Sequence, residues 1–218
     1  MRWSSNLAYS IGLITTDGSL SKDGRHIDLA SKDLEQIQNF KKLLNLENKI
    51  GVKYSGRKDS KIYYRIQFAN IKLYKFLLSI GLKPNKTKSL KEIKVPDKYF
   101  ADFLRGHLDG DGYTYSYWDK RWKSSFLLYT GFISASRNHL EWIKAKINNL
   151  YNIHGTIKYT GKSTYHLMYA KKNSIILLKK VYYTNTIVCL RRKRLKIEGA
   201  LNIINNQAGM AKLVNAQS

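Results

Sequence analysis

The sequence predicts an α+β protein of two pseudo-symmetric αββαββα repeats carrying antiparallel sheets, and three observations lead there. Segments of the two halves match in order, each half alternates short helical and strand-like patterns, and the chain's two prolines, Pro84 and Pro96, bracket a lysine-rich stretch near the middle. Ile11 to Gly18 lies against Arg105 to Gly112 at an offset of 94, Tyr64-Arg65 and Ala69 against Tyr165-His166 and Ala170 at 101, and Leu77-Leu78 against Leu177-Leu178 at 100. Ala30-Ser31-Lys32-Asp33 resembles Ala135-Ser136-Arg137-Asn138 at 105, which predicts about eleven extra residues in a longer second hairpin between Asp111 and Ser136. The division is residues 1–82 for the first repeat, 83–96 for a linker, 97–204 for the second repeat and 205–218 for a tail.

The elements follow in order from periodicity. Leu7, Ile11 and Ile14 set a helix over Trp3 to Thr15. Asp23-Gly24 turns a hairpin between strands at 19–22 and 25–31. Asp33 caps a helix through Leu44, with Leu34, Ile37, Phe40 and Leu44 on its apolar stripe. Strands near 49–55 and 61–69 alternate: Lys61, Tyr63, Arg65 and Gln67 on one face, Ile62, Tyr64, Ile66 and Phe68 on the other, with Lys49 and Lys53 likewise opposed to Ile50, Val52 and Tyr54. A helix over Ile71 to Ile80 ends at Gly81. In the second half Tyr113, Tyr115 and Tyr117 share one strand face, which either lines an outer surface or covers core. The basic run Arg191 to Lys196 leads into a helix ending near Ile204 and suits phosphate contact.

Composition narrows the function. Across 218 residues, 39 Lys and Arg stand against 15 Asp and Glu, a net charge of +24, which points to a polyanionic partner. With 43% apolar and 12% aromatic residues, the charge sits on a folded body and not on a disordered tail. The single Cys189 excludes an internal disulfide and a cysteine zinc cluster, and suits a reducing compartment. No apolar run is long enough for a membrane span. Met1 to Asn6 shows neither a signal nor a transit pattern, so the expected location is the compartment of synthesis, bacterial cytoplasm or organelle. The five histidines show no metal-binding spacing, and His107 reads as core packing.

Each repeat's first helix stops at an Asp-Gly pair, Asp17-Gly18 and Asp111-Gly112, in a chain poor in carboxylates. Small residues at helical spacing precede them, Ala8, Gly12 and Thr16 in one helix and Gly106 and Gly110 in the other, and these let two helix backbones approach closely. Pseudo-twofold symmetry would then set the two acids side by side. Like charges so placed call for cations between them, and hard ions such as Mg²⁺ bridge carboxylate and phosphate oxygens.

Ser10 to Gly18 and Leu104 to Gly112 resemble the two motif copies of single-chain LAGLIDADG homing endonucleases. The first copy departs from the name sequence at Ser10, Ile11, Thr15 and Thr16 and the second at Arg105 and His107, none of them the eighth position. The resemblance implies paired motif helices at the centre of a DNA-binding saddle, and an intron-encoded, monomeric, metal-dependent endonuclease that breaks both strands of a long pseudo-palindromic site. It implies two or three Mg²⁺ ions shared between Asp17 and Asp111, replaceable for binding by Mn²⁺ or Ca²⁺, with the carbonyls of Gly18 and Gly112 as further ligands. Family members place basic residues beyond the last strand of each repeat, and internal alignment nominates Lys88, Lys91, Arg191 and Lys193, either as catalytic groups or as phosphate contacts. Ser31 and Ser136 orient water or act as helix caps. The saddle would contact DNA through Lys49, Lys53, Arg57, Lys61, Tyr63, Arg65 and Gln67, and through Lys120, Arg121, Lys123, Lys158, Lys162 and His166. The partner is double-stranded DNA, with no membrane. Two alternatives stand: an RNA maturase, whose partner is its own intron RNA, and a non-catalytic DNA-binding regulator.

Overall fold

Ser4 opens the first helix because its hydroxyl accepts the Leu7 amide at 3.1 Å, one of the donors a helix start leaves unpaired. A computed structural model describes residues 1–54, 62–122, 125–161 and 163–216. The first repeat runs α1 (Ser5–Thr16), β1 (Gly18–Leu20), β2 (His26–Ser31), α2 (Leu34–Leu43), β3 (Gly51–Tyr54), β4 (Ile62–Ala69) and α3 (Ile71–Ser79). A single 3-10 turn, Asp97–Tyr99, leads into α4 (Phe100–Asp109), β5 (Tyr113–Trp118), β6 (Phe126–Ser134), α5 (Arg137–Tyr151), β7 (Thr156–Tyr159), β8 (Tyr165–Tyr169), α6 (Lys171–Val181) and α7 (Arg191–Ala216). The described strands form two antiparallel sheets in the same order, β1-β2-β4-β3 and β5-β6-β8-β7. The predicted αββαββα plan is therefore present twice.

One face of each sheet is core. Ile27, Leu29, Ile66 and Phe68 in the first sheet, and Phe126, Leu128, Phe132 and Leu167 in the second, are buried, as period-two alternation requires. α1 and α4 are buried along most of their length and pack against each other between the sheets. At the start of α3 the Asn70 side chain accepts the Leu73 amide at 2.9 Å. Asn70→Ala should cost about 1 kcal/mol and lower the melting temperature by roughly 2–4 °C, read by thermal unfolding.

The strand registers correct several expectations. Ser31 pairs Tyr64 and Ser134 pairs Tyr165, so the equivalent of Ser31 is Ser134 and that of Asp33 is Ser136, an offset of 103 and not 105. The second hairpin is accordingly about nine residues longer than the first. Each serine at the strand end accepts the amide two residues on, Asp33 from Ser31 and Ser136 from Ser134, both at 3.1 Å. Residues 83–96 are not a free linker. Lys86, Leu90, Ile93 and Val95 are buried, and the Ser136 hydroxyl and the His139 ring hold the carbonyls of Leu90 and Lys91. Val52 and Tyr54 are exposed, because β3 is an edge strand there with no helix over it. The last helix continues past Ile204 to Ala216 instead of giving way to a tail. No described helix is long and apolar enough to cross a membrane.

Candidate active site

The two motif helices touch backbone to backbone. A Cβ on Gly106 would sit 2.1 Å from the Tyr9 carbonyl oxygen, and one on Gly12 would sit 2.3 Å from that of Phe103. Glycine at both positions lets α1 and α4 meet, as the small-residue spacing predicts. At their C-terminal ends a Cβ on Gly110 would lie 2.0 Å from the Thr16 hydroxyl and 2.9 Å from the Asp17 carboxylate. Asp17 caps α1, and Asp111 follows the turn that ends α4. Both acids line one polar cleft with Ser31, Asp33, Gln36, Tyr63, Asp109 and Arg192.

Burial pushes the Asp17 carboxyl up to about 6, and the Asp111 charge beside it adds to the shift, while the Gln36 hydrogen bond and the ammonium groups of Lys193 and Lys86 oppose it. Burial also raises Asp111, against the same two lysines. Gln36, itself buried, donates to Asp17 at 2.8 Å. The register makes His139 its counterpart, and that residue does not serve Asp111. Its Nδ1 faces the Lys91 carbonyl at 2.7 Å and its Nε2 faces His107 Nε2 at 3.1 Å. A carbonyl only accepts, so His139 carries its proton on Nδ1, and His107 then donates from Nε2. Burial holds His107 well below its ordinary pKa and His139 down to about 4, so both are neutral core groups, as expected of His107.

A lysine ammonium closes the end of each motif helix, and both act on Asp17 and Asp111 together. Lys86 is buried and donates to the Gly18 carbonyl; burial brings its pKa down to about 8, against the pull of Asp111 and Asp17. Lys193 donates to the carbonyls of Leu108, Gly110 and Gly112 at 2.7, 3.0 and 2.8 Å, and burial lowers it too. Of the four basic candidates, Lys193 is the one whose ammonium sits on the carbonyls closing a motif helix. Lys88 and Lys91 are exposed, and Arg191 is exposed with its backbone amide, not its side chain, on Glu35 at 3.1 Å. Lys86 was not singled out, because five lysines share that stretch and only the fold distinguishes the buried one. The Gly18 and Gly112 carbonyls, expected as metal ligands, each hold a lysine ammonium.

Supporting groups complete the cleft. Asp109 is buried and accepts from Tyr9 and Tyr182 hydroxyls at 2.8 and 2.9 Å and from the Leu190 amide at 2.7 Å. Its pseudo-equivalent Thr15 bonds back to the Ile11 carbonyl at 2.7 Å, so that first-motif departure is satisfied within its own helix. Tyr182→Phe removes one of the three donors to a buried carboxylate and should destabilise by about 1–3 kcal/mol; an unchanged urea midpoint would refute the role. Arg105 is buried beneath Tyr9 and Tyr183, bonded to Asp102 at 2.8 Å and to the carbonyls of Val188 and Val181. Asp33 does not cap α2 through its side chain; its carboxylate grips Arg192 at 2.8 and 2.6 Å, which holds it below the usual range. Arg192, Lys193 and Arg194 therefore bind protein groups, not only phosphates. The Ser136 hydroxyl donates to the Leu90 carbonyl.

Six of the expected contact residues lie on described strands. Lys53, Tyr63, Arg65 and Gln67 share the first sheet's open face, where Arg65 pairs with Asp28 and Lys32 lies over the Tyr63 ring at 5.5 Å. Lys158 and His166 are paired across β7 and β8. Lys49, Lys120 and Arg121 are exposed, Arg121 bridging to Asp119 at 3.1 Å. Arg57, Lys61, Lys123 and Lys162 lie outside the described residues. Among the described residues no group of three or more His, Cys, Asp or Glu is placed to hold a metal ion. Two crowded carboxylates with raised pKa values are hard oxygen donors that fit a divalent ion once substrate phosphate oxygens complete the set.

Residues 4–81 match the family model described as a LAGLIDADG-like domain. Across nearly the whole chain the fold is that of solved double-motif proteins. The homing endonuclease I-WcaI bound to its DNA recognition sequence superposes with a TM-score of 0.64 at 15% identity, covering 90% of this chain and 87% of that one. The chain has the double-motif LAGLIDADG fold, and its residues 4–81 carry the LAGLIDADG-like sequence pattern. I-DmoI in complex with DNA and Mn matches at a TM-score of 0.54 and 19% identity, covering 83% and 98% of the two chains. The N-terminal LAGLIDADG domain of DUF199/WhiA matches at 0.55 and 16%, covering 85% of each. At these identities the likeness is one of fold, and a search of curated proteins finds no match. The LAGLIDADG fold occurs in both endonucleases and WhiA, so cleavage has to be argued from the cleft.

Proposed function

We propose that this LAGLIDADG protein is a divalent-cation-dependent DNA endonuclease that binds a long, roughly pseudo-palindromic duplex and hydrolyses one phosphodiester in each strand near its centre. The observation that carries the reading is the pair Asp17 and Asp111, held at one cleft by pseudo-equivalent helix ends, with buried Lys86 on the Gly18 carbonyl and half-buried Lys193 on that of Gly112. A single chain supplies both acids, so the cutting unit is a monomer.

Asp17 and Asp111 would hold the ions. When bound, such an ion polarises the scissile phosphate and makes water a better nucleophile. The chain's own contribution is positional. Gln36 fixes the Asp17 carboxylate, and Lys86 and Lys193 keep positive charge beneath the place where phosphate charge collects. The net charge of +24 attracts the duplex and makes binding steeply salt-dependent.

Incubation with randomised duplex DNA and Mg²⁺, followed by sequencing of cut ends, tests the reading. It should return one long site cut in both strands. Specific binding with no nicking in Mg²⁺ or Mn²⁺ would assign the chain to a non-catalytic DNA-binding role, the reading that the shared fold with WhiA favours.

A further inference from the structure

The two open sheet faces differ in chemistry although their backbones correspond. The first carries Asp28, Arg65, Gln67 and Lys53, groups that hydrogen-bond base edges. The second carries a tyrosine array that begins one residue beyond Gly112. Tyr115 lies directly across from Tyr129, with ring centroids 5.0 Å apart, and Tyr113 and Tyr117 stack on Tyr115 at 5.9 and 6.1 Å. The Tyr113 ring lies over Gly131, where a Cβ would meet it at 2.5 Å. Leu127, across from Tyr117, shares this face, and Met168 lies 3.9 Å from the Tyr115 hydroxyl. Tyr115 and Tyr117 remain exposed, which leaves an apolar surface on the open sheet face of a strongly basic protein.

We propose that this sheet reads its half-site through the 5-methyl groups of thymine in the major groove, whereas the first sheet reads through charged and amide groups. The inference rests on the DNA-binding reading above. Rings at 3 to 24° to one another occupy each other's faces, so they offer edges and hydroxyls outward. Unpaired bases need free faces to stack on, and an array closed on itself denies them. Ring edges do suit the C5-methyl of thymine, the apolar mark of the major groove. Successive side chains on one strand face advance about 6.8 Å, close to two base-pair steps, so the array follows the groove outward from the acids.

The test uses the full chain and the site recovered from the randomised library. Thymines are replaced one at a time by deoxyuracil, which removes only the methyl group, and binding is measured in Ca²⁺. Affinity should fall about fourfold per methyl in the half-site under the second sheet and stay level in the other half. A 5-methylcytosine should restore binding better than cytosine where thymine is lost. Tyr115→Phe should keep the thymine preference and Tyr115→Ala should lose it; both are surface changes that leave the core filled. Equal tolerance of deoxyuracil in both halves, or loss of the preference in Tyr115→Phe, overturns the inference while leaving DNA binding intact. A dimer in sedimentation that Tyr115→Ala disperses would instead give the face to a second copy of the chain and overturn it as well. Absence of any bound duplex would refute the underlying reading.

Discussion

Asp17→Asn should abolish double-strand cleavage, by at least about a thousandfold if a carboxylate on a metal ion contributes several kcal/mol to the transition state, and should at the same time make the metal-free protein more stable. The sign follows from the raised carboxyl. Its folded pKa of about 6 lies above the ordinary carboxylate range, so the folded chain holds this proton more tightly than the unfolded one. That contribution is present below about pH 4 and is lost as pH rises through 6, where the ionised group costs up to roughly 3 kcal/mol. Asparagine keeps an oxygen for Gln36 and carries no charge. In chelator, the melting temperature of Asp17→Asn should exceed that of the parent above pH 6, and the gap should close toward pH 4. Asp111→Asn should likewise stop cleavage, and binding by both variants in Ca²⁺ should persist. A variant that still cuts both strands at the parental rate would remove the two acids from the mechanism.

Gly106→Ala should be the most damaging single methyl group in the protein. Its Cβ would fall 2.1 Å from the Tyr9 carbonyl and 3.1 Å from the Gly12 Cα, backbone atoms that can move only with their helix. Forcing α1 and α4 apart should cost at least about 3 kcal/mol and lower the melting temperature by roughly 10 °C. Gly199, inside α7 with nothing within 4 Å of its added Cβ, is the contrast. Gly199→Ala should stabilise by about 0.5–1 kcal/mol through helix propensity alone. Similar melting shifts for the two would mean that the contact between the motif helices is not the close one described.

What was legible in the sequence is what repeats or alternates. The two Asp-Gly helix ends, the glycines before them and the two-residue period of β4 are local patterns, and each appears where its spacing puts it. Lys86 was not legible, because its importance lies in burial and in reach to the Gly18 carbonyl, neither of which is written in the lysine-rich stretch around it. The pairing of Gln36 with His139 was hidden by a two-residue misalignment that only strand register resolves. The protein contacts of the basic run at Arg191 were likewise not legible. Charge density suggests phosphate, but Asp33, Glu198 and the carbonyls closing α4 satisfy three of its members first.

Lys86 reaches back to the Gly18 carbonyl at the end of the first motif helix and Lys193 to that of Gly112 at the end of the second, while Leu90 and Lys91 already belong to the partners of α5. The seam between the two repeats therefore falls within the few residues after Lys86. A chain parted there would yield two fragments, each owning a motif helix, a carboxylate and a lysine, that meet through the Gly12 and Gly106 surfaces, the Tyr9 to Asp109 bond and the Asp33 to Arg192 pair. Read in reverse, the same seam is where two copies of an ancestral half could have been joined without rebuilding either reaction centre.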